Sequence, residues 1–346
     1  MKLNPPKLAA MAAALMVVGS AQATLLATPT GPFAHLDDGF TASLYSTSSQ
    51  GFVGLAWDSA GNLLRSDGGQ LYVHSQLADT TLHGSNTLHS SVAHEVGGAG
   101  LGGYGMTLGL DGFVYAQGGG GGIKKVDTTS FMSTVALGSG PGYFYGMKTL
   151  PNGKIVYNGS SGDVHLYDPV AHTDSVIYNS SIFSDDIAVT PDGNIIVAVL
   201  SACRTDVITQ AGALLRSIST AHCADGMAYG NGAIFKNNTD GTLTRLIFAG
   251  PNYTGLITED VIADGYFYGD LAGVGPDNAF YINTYDAKFA DGSSSGAYSL
   301  VRIEAAGGGG FGNNVPEPAS LALTGLALAA MGWVRRKPAA RPARPA

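Results

Sequence analysis

Six stretches of this chain repeat one pattern: a small or polar opening, a short apolar run, a Gly or Asn turn and a second apolar run. They fall at 54–64, 105–115, 146–156, 186–196, 226–234 and 271–280. Asp111-Gly112, Asn152-Gly153, Asp192-Gly193 and Asn231-Gly232 sit at the turns, and such pairs supply the positive φ that a tight turn between strands requires. Each copy therefore reads as a hairpin. The turn residues fall at 61, 112, 153, 193, 232 and 278, so the spacing is 39 to 51 residues, the length of a four-stranded propeller blade.

A third strand follows most hairpins as an alternating stretch, at 70–74, 123–126, 163–167, 242–246 and 298–303. Period-two alternation is what a strand with one buried face shows. Fourth strands are expected at 133–137, 175–178, 214–218 and 246–249, and the last repeat lacks one before the Gly-rich run 307–310. Residues 40–45 can supply it, closing a ring by pairing the two ends of the domain and hiding its free edges. Gly at 50 of 346 residues and charged residues at 13% suit a turn-rich, all-β chain. The expectation is an all-β, six-bladed β-propeller over 24–306, with a β-sandwich or β-solenoid as the alternative.

The two ends read as addresses. Lys2 and Lys7 flank a polar start, 8–18 is apolar, and Ala21-Gln22-Ala23 places small residues where a signal peptidase reads, so 1–23 is expected to be a signal peptide cleaved before Thr24. At the other end Val315-Pro316-Glu317-Pro318-Ala319-Ser320-Leu321 opens an uncharged run to Val334, closed by Arg335, Arg336 and Lys337. Residues 319–334 would make a helix about 24 Å long, short for a hydrocarbon core of about 30 Å. The basic cluster can extend it by snorkelling and argues that this end stays cytoplasmic. A transmembrane helix is therefore expected within 315–337, after a Gly-rich linker at 307–314 and before a basic Pro/Ala tail at 338–346.

That order of motif, apolar run and basic cluster resembles the PEP-CTERM sorting signal that Gram-negative, exopolysaccharide-making bacteria place on exported proteins. The resemblance implies an exosortase as partner, a membrane cysteine peptidase acting near the Pro-Glu-Pro triplet. It also implies passage through the inner membrane to the cell surface or beyond. Residues 24–314 hold 11 Lys/Arg against 25 Asp/Glu, about −14, the wrong sign for a phosphate-binding surface, so nucleic acid is excluded as a partner. In an exported chain Cys203 and Cys223, the only two cysteines, read as a disulfide.

The runs Asp225-Gly226-Met227-Ala228 and Pro191-Asp192-Gly193-Asn194 resemble the six-bladed propellers of the NHL and gluconolactonase-like superfamily. In lactonase members, acidic and amide side chains at the inner-strand starts hold a divalent metal in the central channel. The matching positions here are Val53, Tyr104, Tyr145, Asp185, Asp225 and Gly269, of which only Asp185 and Asp225 are candidate ligands, for Ca²⁺ or another divalent cation. No glutamate stands in the expected early position, and the alternative is that both aspartates cap or bridge strands.

Other chemistry is thin. Residues 98–103 fit G-x-G-x-x-G without the strand-then-helix unit that motif needs, and read as a loop. His74, His83, His89 and His94 have spacings of nine, six and five, which fit no zinc helix, and read as surface-loop residues. No catalytic residues can be assembled. The first functional reading is thus a non-enzymatic surface or matrix module in an exopolysaccharide or biofilm setting. The alternative is an exported metal-dependent lactonase or hydrolase.

Overall fold

The computed structural model describes residues between 33 and 305, apart from 38, 49–53, 67–69, 75–81, 84–85, 88–90, 98–99, 141, 143, 160, 251–252, 266–267, 287–295 and 297. The signal peptide, the linker, the sorting motif and the membrane helix expected at 315–337 lie outside the described residues. Among the described residues, no helix is long and apolar enough to cross a membrane.

Among the described residues, six antiparallel sheets follow in sequence order, five of four strands and one of five, beside a two-stranded hairpin of Leu82–His83 and Asn86–Thr87. The first blade comprises Gly54–Trp57, Leu63–Ser66, Gln70–His74 and Ser91–Glu95; the second Leu101–Leu108, Val114–Gly118, Ile123–Val126 and Ser133–Leu137. The third is built from Phe144–Thr149, Ile155–Gly159, Asp163–Asp168 and Thr173–Asn179; the fourth from Ile187–Val189, Ile195–Val199, Arg204–Ile208 and Leu214–Ser219. Ala224–Gly230, Ala233–Asn238, Thr242–Phe248 and Leu256–Asp264 make the fifth. Tyr268–Val274, Phe280–Tyr285 and Tyr298–Ala305 make the sixth, whose outer strand is Phe40–Ser48. The inner strands contact one another in a closed cycle, sixth to first included. The molecule is a six-bladed β-propeller.

The ring closes as the repeat pattern required. Phe40 pairs with Ala305, Thr41 with Glu304 and Ala42 with Ile303, so the N-terminal strand covers the edge of Tyr298–Ala305 and completes the sixth blade. His35–Leu36 adds a strand that the sequence did not announce, pairing with Leu256–Asp264 on the rim of the fifth blade. The expected fourth strand at 246–249 is corrected: those residues mainly continue the third strand, Thr242–Phe248, and the outer strand is Leu256–Asp264. All six turn residues adopt positive φ, from 60° at Asn278 to 84° at Gly153 and Gly193.

The core is annular. Six apolar clusters lie one to each interface between blades, as with Met147, Tyr157 and Ile123 between the second and third. Tyr45, Tyr281, Leu55 and Leu63 seal the last blade to the first. Each fully buried Leu, Phe or Val in these layers contributes about 1.5–3 kcal/mol. Two histidines expected in loops belong to this framework. His74 is buried and accepts from Arg65 Nε at 2.9 Å, while His94 stacks on Phe131 with ring centroids 3.7 Å apart.

Candidate functional site

The six inner strands set a register around the channel that can be counted back from their hairpins. The residues that close the turns are Asp58, Gly109, Leu150, Thr190, Gly230 and Gly275. Five residues earlier stand Val53, Tyr104, Tyr145, Asp185, Asp225 and Asp270. Val53 lies outside the described residues. The sixth position is therefore Asp270, not Gly269: the residue just before the sixth repeat at 271–280 is Asp270, as Asp225 is just before the fifth at 226–234.

The ladder is irregular at this level in four of the blades, between the pairs Ala116/Gly118, Phe144/Met147, Ala224/Gly226 and Gly269/Ala272. A bulge removes residues from the ladder and re-aims their side chains, which frees Tyr104, Tyr145, Asp225 and Asp270 from ordinary pairing. Amide side chains from the second strands then hold the bulged backbone. Asn158 Oδ1 accepts from Gly146 N at 2.8 Å while its Nδ2 donates to the Asp185 carbonyl. Asn237 Nδ2 donates to the carbonyls of Asp270 and Asn283, and Gln117 Oε1 accepts from Tyr104 N at 3.3 Å. Asn158 and Asn237 also fit glycosylation sequons, but both are fully buried.

One side of the mouth is aromatic. Tyr104 and Tyr145 pack with centroids 4.9 Å apart, and Phe183 meets Tyr145 edge-on at 5.2 Å. The other side is acidic. Asp185 and Asp225 form the floor, 6% and 3% exposed. Burial, then the neighbouring Asp225 charge, pushes the Asp185 carboxyl well above the usual carboxylate range. Asp270 is raised well above that range by the same two causes, and Asp225 is raised by burial against hydrogen bonds from Asp185 and Tyr268. The Tyr268 phenol, on the rim, is itself raised by burial and by its bond to Asp225. Carboxylates this close share protons or a cation rather than all ionising in isolation.

Asp186 has a different task. It is fully buried, and its carboxylate accepts from the backbone N–H of Ile187 at 2.7 Å, Met227 at 2.8 Å and Ala272 at 3.4 Å. Lys148 Nζ of the third blade lies 3.7 Å away. One side chain thus ties four blades together across the channel. The disulfide between Cys203 and Cys223 is formed and lies two residues before Asp225, binding the 200–203 turn to the strand that carries it.

The structure places Asp185 and Asp225 beside each other, with Asp270, Asp186 and Tyr268 nearby and Phe183 against Tyr145. Among the described residues, no group of three or more His, Cys, Asp or Glu side chains converges to hold a metal ion. The acids as placed therefore do not make a closed three-ligand site.

Residues 314–337 match the model of the PEP-CTERM protein-sorting motif. The motif implies an exported protein handled by a membrane-associated exosortase system. No curated protein sequence matches the chain. Among solved structures, the PQQ-bound aldose sugar dehydrogenase of Streptomyces coelicolor is similar at 13% identity and TM-score 0.55, covering 78% of this chain and 100% of that one. An inactive virginiamycin B lyase from Staphylococcus aureus matches at 13% and 0.53, covering 76% and 99%. A protein assigned as a gluconolactonase matches at 13% and 0.56, covering 79% and 95%. The three carry different activities at low identity, so what they share with this chain is the six-bladed β-propeller fold.

Proposed function

We propose that this exported propeller is a carbohydrate-binding module, displayed at the cell surface or in an exopolysaccharide matrix, with its site at the mouth where the inner strands begin. The observation that carries the reading is the division of one ring of equivalent positions into Tyr104 and Tyr145 on one side and Asp185, Asp225 and Asp270 on the other. A sugar presents an apolar C–H face and a rim of hydroxyls. Aromatic rings pack on the first, and carboxylates accept hydrogen bonds from the second. The amide latches and the disulfide fix the backbone beneath, which limits the entropy lost on binding. The signal peptide at 1–23, the body at 24–306, the linker at 307–314 and the sorting tail at 315–337 fit delivery by signal peptidase and exosortase. A glycan array probed with the native chain and with Tyr145→Ala tests the reading: binding by the first and its loss in the second are expected.

A second reading is a metal-dependent lactonase or hydrolase, and the mutual repulsion of Asp185, Asp225 and Asp270 favours it. A Ca²⁺ or similar cation held by Asp185 and Asp225 would relieve that repulsion and polarise a substrate carbonyl. Metal analysis of the dialysed chain decides between the two. One ion per chain, lost in Asp185→Asn/Asp225→Asn, supports the hydrolase; no ion leaves the binding module.

A further inference from the structure

The opposite end of the channel, where the inner strands finish, opens into a cavity of about 660 Å³ to which all six blades contribute. Its chemistry differs from that of the acidic mouth. Trp57, Leu108, Val189, Tyr229 and Val274 supply apolar wall, and Lys148 lies at its inner end. Two residues before the hairpin-closing position, the blades carry Ala56, Thr107, Lys148, Ala188, Ala228 and Gly273. Five of the six are small, so the space exists because the sequence keeps bulk out of this level, and the one long side chain there is cationic.

Two details mark the cavity as built. The Trp57 indole is seated against the backbone of the sixth blade: a Cβ added at Gly273 would meet its ring at 3.1 Å, and one at Gly275 at 3.3 Å. Tyr281 meets the same indole edge-on at 5.4 Å. Trp57 is thus packed closely on two glycines, where an added methyl would crowd its ring. The second detail is charge. Asp58, the one carboxylate on the wall, is committed to its own turn, accepting from Ala60 N, Asn62 N and Asn62 Nδ2 at 2.8–2.9 Å. Asp186 already has backbone donors at 2.7 and 2.8 Å. Lys148 Nζ reaches Asp186 only at 3.7 Å and the Ala272 carbonyl at 3.4 Å. Both contacts are long for an ammonium with three donors, which leaves hydrogen-bonding capacity turned to the cavity.

We propose that this cavity binds a small amphipathic anion, an aromatic or alkyl carboxylate, with its apolar body between Trp57 and Tyr229 and its anionic head on Lys148. A concave, mostly apolar site with one convergent charged group is the usual form of a small-molecule pocket, and about 660 Å³ lies within the common range. The site is independent of the carbohydrate reading, since it stands at the other end of the channel and uses other residues.

The chain contains two tryptophans, Trp57 and Trp333, so the full chain carrying Trp333→Phe reports on the cavity through its remaining indole. Titration with 8-anilinonaphthalene-1-sulfonate, an aromatic anion, is expected to give saturable energy transfer from Trp57 at one probe per chain. Lys148→Met should weaken the probe by about tenfold, as the loss of one charged hydrogen bond predicts. Val274→Asp, a wall substitution away from the ion pair, should weaken it as well, with circular dichroism unchanged. Tyr145→Ala should leave it untouched. Absence of saturable transfer, or an affinity in Lys148→Met and Val274→Asp that matches the native cavity, overturns the proposal.

Discussion

Lys148 of the third blade and Asp186 of the fourth meet across the channel, Nζ to Oδ1 at 3.7 Å, and divide it into an acidic, aromatic mouth and an apolar one. Asp186 is the more deeply committed partner, because backbone amides of its own, the fifth and the sixth blades converge on it. Asp186→Ala strands those donors in a buried site and should lower stability by about 3 kcal/mol. Asp186→Asn keeps one acceptor and should cost less. Urea denaturation of both variants checks the order.

The acidic mouth sets a pH dependence. Asp185 and Asp270 bind protons more tightly in the folded state than in the unfolded one, owing to burial and to Asp225. The unfolded state therefore loses protons first as pH rises, so this pair makes stability fall from about pH 4 upward until their raised folded values are passed. Asp111, Asp240 and Asp260 are held below the usual range by hydrogen bonds and neighbouring cations, and pull the other way at lower pH. Asp185→Asn/Asp270→Asn should remain folded and flatten the decline above pH 4, read as thermal midpoints across pH.

Reduction of the Cys203–Cys223 bond opens a loop of 20 residues in the unfolded chain. Cys203→Ser/Cys223→Ser should lose about 3 kcal/mol in the chain-entropy model and loosen the strand bearing Asp225. Denaturant midpoints with and without reductant check the first, and hydrogen exchange at 224–230 the second.

Much of this architecture was legible because turns are local. A left-handed φ favours Gly and Asn over other residues, so Gly61, Gly112, Gly153, Gly193, Gly232 and Asn278 mark the blades without reference to packing. The third strand of the fourth blade, Arg204–Ile208, was not legible. Arg204 and Asp206 put two charges into it, and only the folded structure shows Asp206 buried under Arg204 Nε at 2.9 Å, Tyr178 Oη at 2.9 Å and Ser217 Oγ at 2.6 Å. His35–Leu36 is too short to show a period. At the mouth, Asp185, Asp225 and Asp270 all stand close before apolar-Ala pairs, Ile187-Ala188, Met227-Ala228 and Leu271-Ala272, so Asp270 was as legible as the other two and was missed by a one-residue miscount to Gly269. Asn158 and Asn237 read as sequons, and nothing local tells a buried amide latch from an exposed acceptor site.

The central claim, that the tyrosine and aspartate ring binds carbohydrate, is tested most directly by affinity electrophoresis of the full chain through gels containing bacterial exopolysaccharides. Retarded migration of the native chain, relieved in Tyr104→Ala/Tyr145→Ala and in Asp270→Asn but not in Lys148→Met, is the predicted result. Unretarded migration in every gel, or retardation that survives loss of both tyrosines, would contradict it.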